Sequence, residues 1–201
     1  GVNTNIVKKA KEYFKNILDA NKKLKIITVG SKGDDQIKRN FKDYIVEKIS
    51  YKNIKNISLN EASELTSKII TMFENNEFDV CTIFYNKFKS VISQEPQAQQ
   101  IIPVENLDAD VESSEDEDQY EFEPDENEIL EYLLPQNITT QLYKAFLENA
   151  ASEQGSRMSA MDNATRNAGD LIDKLTINYN RSRQAVITKE LIEIISGAES
   201  L

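Results

Sequence analysis

The chain has 201 residues, is 39% hydrophobic, and contains six glycines, four prolines, one cysteine and no histidine. That length suits one ordinary domain, or a compact domain with a long appendage. The missing histidine removes histidine general bases, Ser-His and Cys-His nucleophiles and ordinary His/Cys zinc sites together. The net charge of −10 is local: thirteen acidic residues and no Lys or Arg lie between Glu105 and Glu128, and the remainder balances near +3. A near-neutral body with one acidic segment gives no footprint for general nucleic-acid binding.

Along the chain, Ile6, Ala10, Tyr13 or Phe14, and Ile17 recur at helical steps, predicting an amphipathic helix over residues 5–20. Residues 24–30, LKIITVG, read as a short strand ending at Gly30. After the polar SKGDD turn, Ile37, Phe41, Tyr44 or Ile45, and Ile49 predict a second helix. NISL at 56–59 reads as a weak strand, with Asn60 as N-cap of a third helix that turns Ala62, Leu65, Ile69 and Met72 inward. FDVCTIFY, residues 78–85, is apolar on both faces like a central buried strand, and QQIIPV is a further strand broken by Pro103. The alternation predicts an α/β sheet domain over residues 1–125, with a mobile acidic loop at about 106–118 and a short YEFEP strand after it. Cys81, in an apolar stretch, is expected to be a buried, reduced, intracellular thiol. The first thirty residues do not read as a signal peptide, and no apolar run reaches the roughly 20 residues of a membrane-spanning helix.

Residues 126–201 form the second predicted region, a long helix. No proline occurs from Ile138 to Ile195. Met158, Met161, Ala164, Ala168, Leu171, Leu175, Tyr179, Ser182 and Val186 repeat at the 3.5-residue period of a coiled coil. A helix of that length extends about 87 Å, against a radius of gyration of about 16 Å for a compact chain of this size. It is expected to project and to need a partner helix from another segment or another chain. Ile187, Leu191, Ile194 and Ile195 continue a wide apolar face to the tip, which is expected to sit inside something hydrophobic. The GSKG turn at Gly30–Gly33 lacks both G-x-x-x-x-G-K-[ST] and G-x-G-x-x-G, so it reads as a plain strand–helix turn. The acidic DADVESSEDED run lacks the glycine and spacing of a calcium loop and reads as a solvated connection.

The tail NRSRQAVITKELIEIISGAES, residues 180–200, resembles the C-terminal signature of the gamma subunit of F-type ATP synthase. Ile187, Thr188, Glu190, Glu193, Gly197 and Ala198 fall on its positions. Residues 151–180 are similar to the family's preceding helix, while YEFEPDENEILEYLLP, TVGSKG and GVNTNIVKKA fit its central domain. The resemblance implies a Rossmann-like, mostly parallel α/β sheet domain plus a long C-terminal coiled-coil helix, half of an antiparallel shaft. Family members begin with another long helix that pairs with the C-terminal one. No match to it lies in these residues, which are expected to lack it.

The resemblance further implies a non-catalytic rotor at the cytoplasmic face of the bacterial inner membrane. Its partners are the alpha and beta subunits of the catalytic hexamer, the epsilon subunit and the membrane c-ring, with no cofactor, nucleic acid or substrate of its own. It implies that Arg157 lies near the mobile loops of the catalytic subunits. It also implies that Arg183, Gln184, Thr188 and Glu190 contact a beta-subunit loop near the top of the axle. Two alternatives stay open from the residues themselves: a nucleotide-binding enzyme, or a coiled-coil tether unrelated to rotation that carries a nucleotide-binding-like domain.

Overall fold

The computed structural model describes residues 2–51, 57–104 and 126–199. It contains helix α1 (Val2–Asp19), strand β1 (Ile26–Val29), helix α2 (Ser31–Phe41), a 3-10 turn (Lys42–Tyr44) and strand β2 (Ile45–Ile49). Helix α3 (Leu59–Glu74), strands β3 (Cys81–Phe88) and β4 (Gln94–Ile102), and helix α4 (Glu126–Glu199) follow. The acidic loop at 106–118 and the YEFEP strand lie outside the described residues. The chain divides into two units, Gly1–Ser156 and Arg157–Leu201.

The first unit is α/β. β1 and β2 pair in parallel, Ile26 opposite Ile45 and Val29 opposite Ile49. β3 and β4 pair antiparallel from Phe88–Gln94 to Cys81–Ile102. The parallel expectation therefore applies to β1–β2 alone among the described ladders. Only residues 89–93 join β3 to β4, and a parallel crossover needs about a dozen residues or more. Neighbouring residues of a strand point to opposite faces, which splits the core into two layers. Ile26 and Phe84 pack with Val7, Ala10, Phe14, Ile37 and Phe41 of α1 and α2. Ile27 and Ile83 pack with Ala62, Leu65 and Ile69 of α3, Ile101 and Ile102 of β4, and Ile138 and Leu142 of α4. Phe14 meets Phe41 and Phe84 edge to face at 5.5 and 5.8 Å, an arrangement favoured by the ring quadrupoles.

Three local predictions are corrected, the first being the NISL strand: residues 57 and 58 are in no strand, and Leu59 begins a helix. The second helix ends at Phe41, and Ile45–Ile49 is a strand. Ile37, Phe41, Ile45 and Ile49 fit a helical step, but pairing with β1 makes residues 45–49 a strand whose burial alternates. The third helix is capped by Ser58, not Asn60, and Leu59 already belongs to the helix. Ser58 Oγ accepts from the Asn60 N–H, and the Ser58 N–H donates to Glu61 Oε2 at 2.7 Å, closing a capping box.

The turn after β1 explains its glycine. Gly30 has φ of +95°, which an L side chain rarely adopts, and its N–H donates to Ile49 O at 2.9 Å. Just beyond, the Asp34 carboxylate is buried in the first turn of α2. The Lys48 ammonium donates to its Oδ2, and Thr28 Oγ1 donates to Oδ1 at 3.0 Å. The Lys48 hydrogen bond holds Asp34 below the ordinary aspartate range, against burial, and the same bond raises Lys48. Because the folded carboxylate is depressed, its contribution to stability is complete above the ordinary range. It is lost as pH falls through that range to the folded value. The raised lysine works in the other direction, its contribution fading only as alkaline pH passes its folded value. Asp34→Ala is expected to cost about 1–3 kcal/mol at neutral pH. Urea titrations should show the gap from wild type shrinking at acid pH.

Candidate functional site

The first unit grips α4 through one face of the helix. Ile138, Leu142 and Ala145, at helical steps, are buried, with Ile138 and Leu142 set against α3 and β4. Ser152, fully buried, donates from Oγ to Asn86 O of β3 at 3.1 Å. The Thr139 hydroxyl lies 2.9 Å from Thr66 Oγ1 of α3 and 2.8 Å from Pro135 O one turn back in its own helix. Gln99 of β4 donates from Nε2 to Gln141 Oε1 at 2.7 Å. The Phe88 N–H faces Glu148 Oε2 at 3.3 Å.

Gly155 closes the contact. A Cβ there would meet Phe88 Cε2 at 3.0 Å and Val91 Cα at 3.4 Å. The hairpin turn therefore lies against the helix where no side chain intervenes. Gly155→Ala adds one methyl, which a small shift of the half-exposed Phe88 ring accommodates. That strain opposes a helix-propensity gain of about 1 kcal/mol, so the alanine variant is expected to stay within about 1 kcal/mol of wild type. Gly155→Leu collides with the Val91 backbone, which cannot step aside, and should cost about 1–3 kcal/mol. Thermal unfolding of the two variants side by side checks both values.

In the second unit, residues 160–198 are all exposed. Met161, Leu171, Leu175, Tyr179 and Val186 of the 3.5-residue seam are among the large exposed apolar side chains, as are Ile187, Leu191, Ile194 and Ile195. Arg166–Asp162 and Lys189–Glu193 pairs brace successive turns at 3.1 and 3.7 Å. All five residues singled out from sequence lie exposed on this helix. At about 100° per residue, Arg183 and Glu190 share one face, and Gln184 and Thr188 share another about 120° away. Ile187 and Leu191 lie between them, so the two polar pairs bracket the apolar stripe. Arg157 is about 39 Å from Arg183 along the helix and does not join them. Thr188 Oγ1 donates to Gln184 O at 2.8 Å. Its proton is committed to the helix, leaving the hydroxyl as an acceptor and the Gln184 amide as the two-way group.

The sequence reading missed the polar grip on α4. Its one visible signal was Gly155, a poor helix former inside a helix. Among the described residues no group of three or more Asp, Glu or Cys converges as metal ligands. Burial pushes the Cys81 thiol up to about 11, so it is protonated at neutral pH and a poor nucleophile. A shallow groove between β2 and α3 is lined by Glu47, Ser67, Lys68, Thr71 and Met72, with the Lys68–Glu47 ion pair across it. No described helix is long and apolar enough to cross a membrane.

An α/β body gripping a helix that then exposes an apolar stripe bracketed by polar pairs defines a subunit that works by contact with other chains. Comparison with known proteins gives that class its family. All of residues 1–201 match the family model described as ATP synthase. An ATP synthase gamma chain of Pelagibacter ubique is 69% identical over 201 residues, which is all of this chain and 68% of that protein. The gamma chain of a Jannaschia species is 52% identical over 206 residues, covering 100% of this chain and 69% of its own length. Among solved structures, one chain from the central stalk and c-ring of Tetrahymena thermophila mitochondrial ATP synthase aligns with a TM-score of 0.63 at 27% identity. The alignment covers 82% of this chain and 69% of that one. A chain of the Euglena gracilis mitochondrial ATP synthase rotor, at 20% identity and a TM-score of 0.60, covers 93% of this chain and 71% of its own and shares the fold. The chain belongs to the ATP synthase gamma chain family. Gamma chains are non-catalytic subunits, and a tether unrelated to ATP synthase finds no support in these comparisons.

Proposed function

We propose that this chain is the rotor of a proton-translocating F-type ATP synthase, coupling rotation of the membrane c-ring to conformational change at the catalytic beta subunits. Its partners are the alpha and beta subunits around α4, and the epsilon subunit and c-ring at the α/β unit. The complex is membrane-associated, and we place this subunit at the cytoplasmic face of the bacterial inner membrane, held there through its partners. The observation that carries the reading is the exposed surface of α4 over residues 160–198, in a chain matching the gamma family from end to end.

The physics suits an axle. A rotor must meet each stator subunit in turn, so its contacts have to form and break without deep minima. Exposed ionic pairs contribute about 0–1 kcal/mol and exposed hydrogen bonds about 0.5–1.5 kcal/mol, small against the energy of a catalytic step. Arg157 is assigned to the mobile loops of the catalytic subunits. Arg183, Gln184, Thr188 and Glu190 are assigned to a beta-subunit loop. Arg183 and Glu190 present opposite charges on one face, while Gln184 and Thr188 present neutral donors and acceptors on the other. The helix therefore shows a different surface to each subunit around it, and that asymmetry is what distinguishes their states.

Reconstitution tests the reading. Alpha, beta and epsilon subunits combined with a gamma chain of this sequence, bound to c-ring-containing vesicles, should acidify the vesicle lumen when ATP is added. Hydrolysis without acidification, equal to that of a preparation lacking the gamma chain, would reject it.

A further inference from the structure

Beyond the rotor reading, on which it rests, we propose that a run of side-chain hydrogen bonds between the β3–β4 hairpin and α4 sets the rotational register of the helix and carries torque into it. The run begins at Tyr85 Oη, which donates to Gln99 Oε1 at 2.8 Å. Gln99 Nε2 donates to Gln141 Oε1 at 2.7 Å, and Gln141 Nε2 donates to Asn137 Oδ1 one turn back in the same helix. Thr139 reaches Thr66 of α3, and Ser152 reaches the Asn86 carbonyl. Along residues 139–152 of α4, Thr139 contacts α3, while Gln141 and Ser152 contact the hairpin.

Direction separates the two kinds of contact. The buried face of Ile138, Leu142 and Ala145 presses α4 onto the sheet, and apolar burial resists pulling the helix away. It is non-directional, however, so it resists rotation about the helix axis only weakly. Torque acts along that soft coordinate. Hydrogen bonds weaken steeply with angle, and half-buried amides that lose their partners leave unsatisfied groups. Turning α4 by even one side-chain position would break the Gln99–Gln141 and Ser152–Asn86 contacts together. Gly155 adds a close backbone approach, since a Cβ there would lie only 3.4 Å from the Val91 Cα. Gln99 and Gln141 are positioning residues: they touch neither nucleotide nor stator in this account, and they act by fixing the helix.

The test uses the assembled, membrane-embedded ATP synthase with Gln99→Met and Gln141→Met together in its gamma chain, which keeps side-chain volume and removes the bonds. The expected result is an unfolding midpoint lowered by no more than about 5 °C and retained ATP hydrolysis. Protons pumped per ATP hydrolysed should fall by roughly twofold or more, within the two- to tenfold range that loss of such bonds sustains. Gln141→Glu with Gln99 intact keeps an acceptor for the Gln99 amide and should hold the ratio above that of the double variant. A double variant with the wild-type ratio overturns the proposal, as does one whose pumping and hydrolysis fall in proportion. If the double variant fails to assemble, Gln141→Met alone is assayed for the same ratio, and a wild-type value there overturns the proposal equally. Absence of pumping with the unmodified chain would instead defeat the rotor reading itself.

Discussion

Ile101→Ala is expected to destabilise the α/β unit by about 2–5 kcal/mol, toward the upper end of that range for a large-to-small core change. Ile101 is 0% exposed and sits in one cluster with Ala62 and Leu65 of α3 and with Ile138 and Leu142 of α4. The cost of such a change depends on how far neighbours collapse into the space. Here they belong to two helices pinned from outside, α3 by its capping box and α4 by Thr139, Gln141 and Ser152. Little collapse is available. A domain of this size is stable by about 5–15 kcal/mol, so the loss is a large share, and the midpoint should fall by about 5–20 °C. Tyrosine fluorescence during thermal and urea unfolding reads it. Ile92→Ala, at a hairpin position 85% exposed, should change stability by less than about 0.5 kcal/mol. A loss at Ile101 below about 1 kcal/mol would mean that this cluster is not the seat of α4.

Much of this core was legible in the residues. The inward set of α3, Ala62, Leu65 and Ile69, follows from its spacing, as do Ala10 and Phe14 of α1 and the long run of α4. What escaped had physical reasons. Phe41, Ile45 and Ile49 fall at helical steps, and only pairing with β1 turns residues 45–49 into a strand. The Ser58–Glu61 capping box was present in the sequence, but Asn60 is an equally good cap by residue type. The β3–β4 hairpin was implied by a five-residue connection that the apolar pattern of FDVCTIFY masked. The Gln99–Gln141 contact joins residues 42 apart, and no local pattern announces it. The five polar residues of α4 were found through family resemblance alone. Periodicity does not single out the four at 183–190, because every neighbour there is also exposed.

The largest functional effect is expected from Gln184→Ala combined with Thr188→Ala. The two lie on one flank of the Ile187–Leu191 stripe, and Thr188 already gives its proton to the Gln184 carbonyl. Removing both takes away the neutral hydrogen-bonding surface assigned to a beta-subunit loop, leaving the apolar stripe and the Arg183–Glu190 flank in place. Stability should change by no more than about 0.5 kcal/mol, since alanine is the better helix former and both sites are exposed. ATP turnover and ATP-driven proton pumping should fall together by about two- to tenfold, the range sustained by one bond of net ~0.5–1.5 kcal/mol. Replacing exposed Lys174 by alanine, nine or more residues away on the same helix, should leave both rates near wild type. Wild-type turnover in the double variant would make these residues ordinary helix surface.

These effects presuppose that the chain turns inside its partners. The most direct measurement fixes the alpha and beta subunits of the reconstituted complex to a surface and attaches an optical probe to an engineered cysteine on the α/β unit. Lys22→Cys is suitable, being exposed and far in sequence from α4, with Cys81 replaced by serine to prevent double labelling. With ATP present the probe should rotate in one direction, and rotation should stop when ATP is withdrawn. A probe that stays fixed or only fluctuates while the same complexes hydrolyse ATP would contradict the assignment of this chain as the rotor.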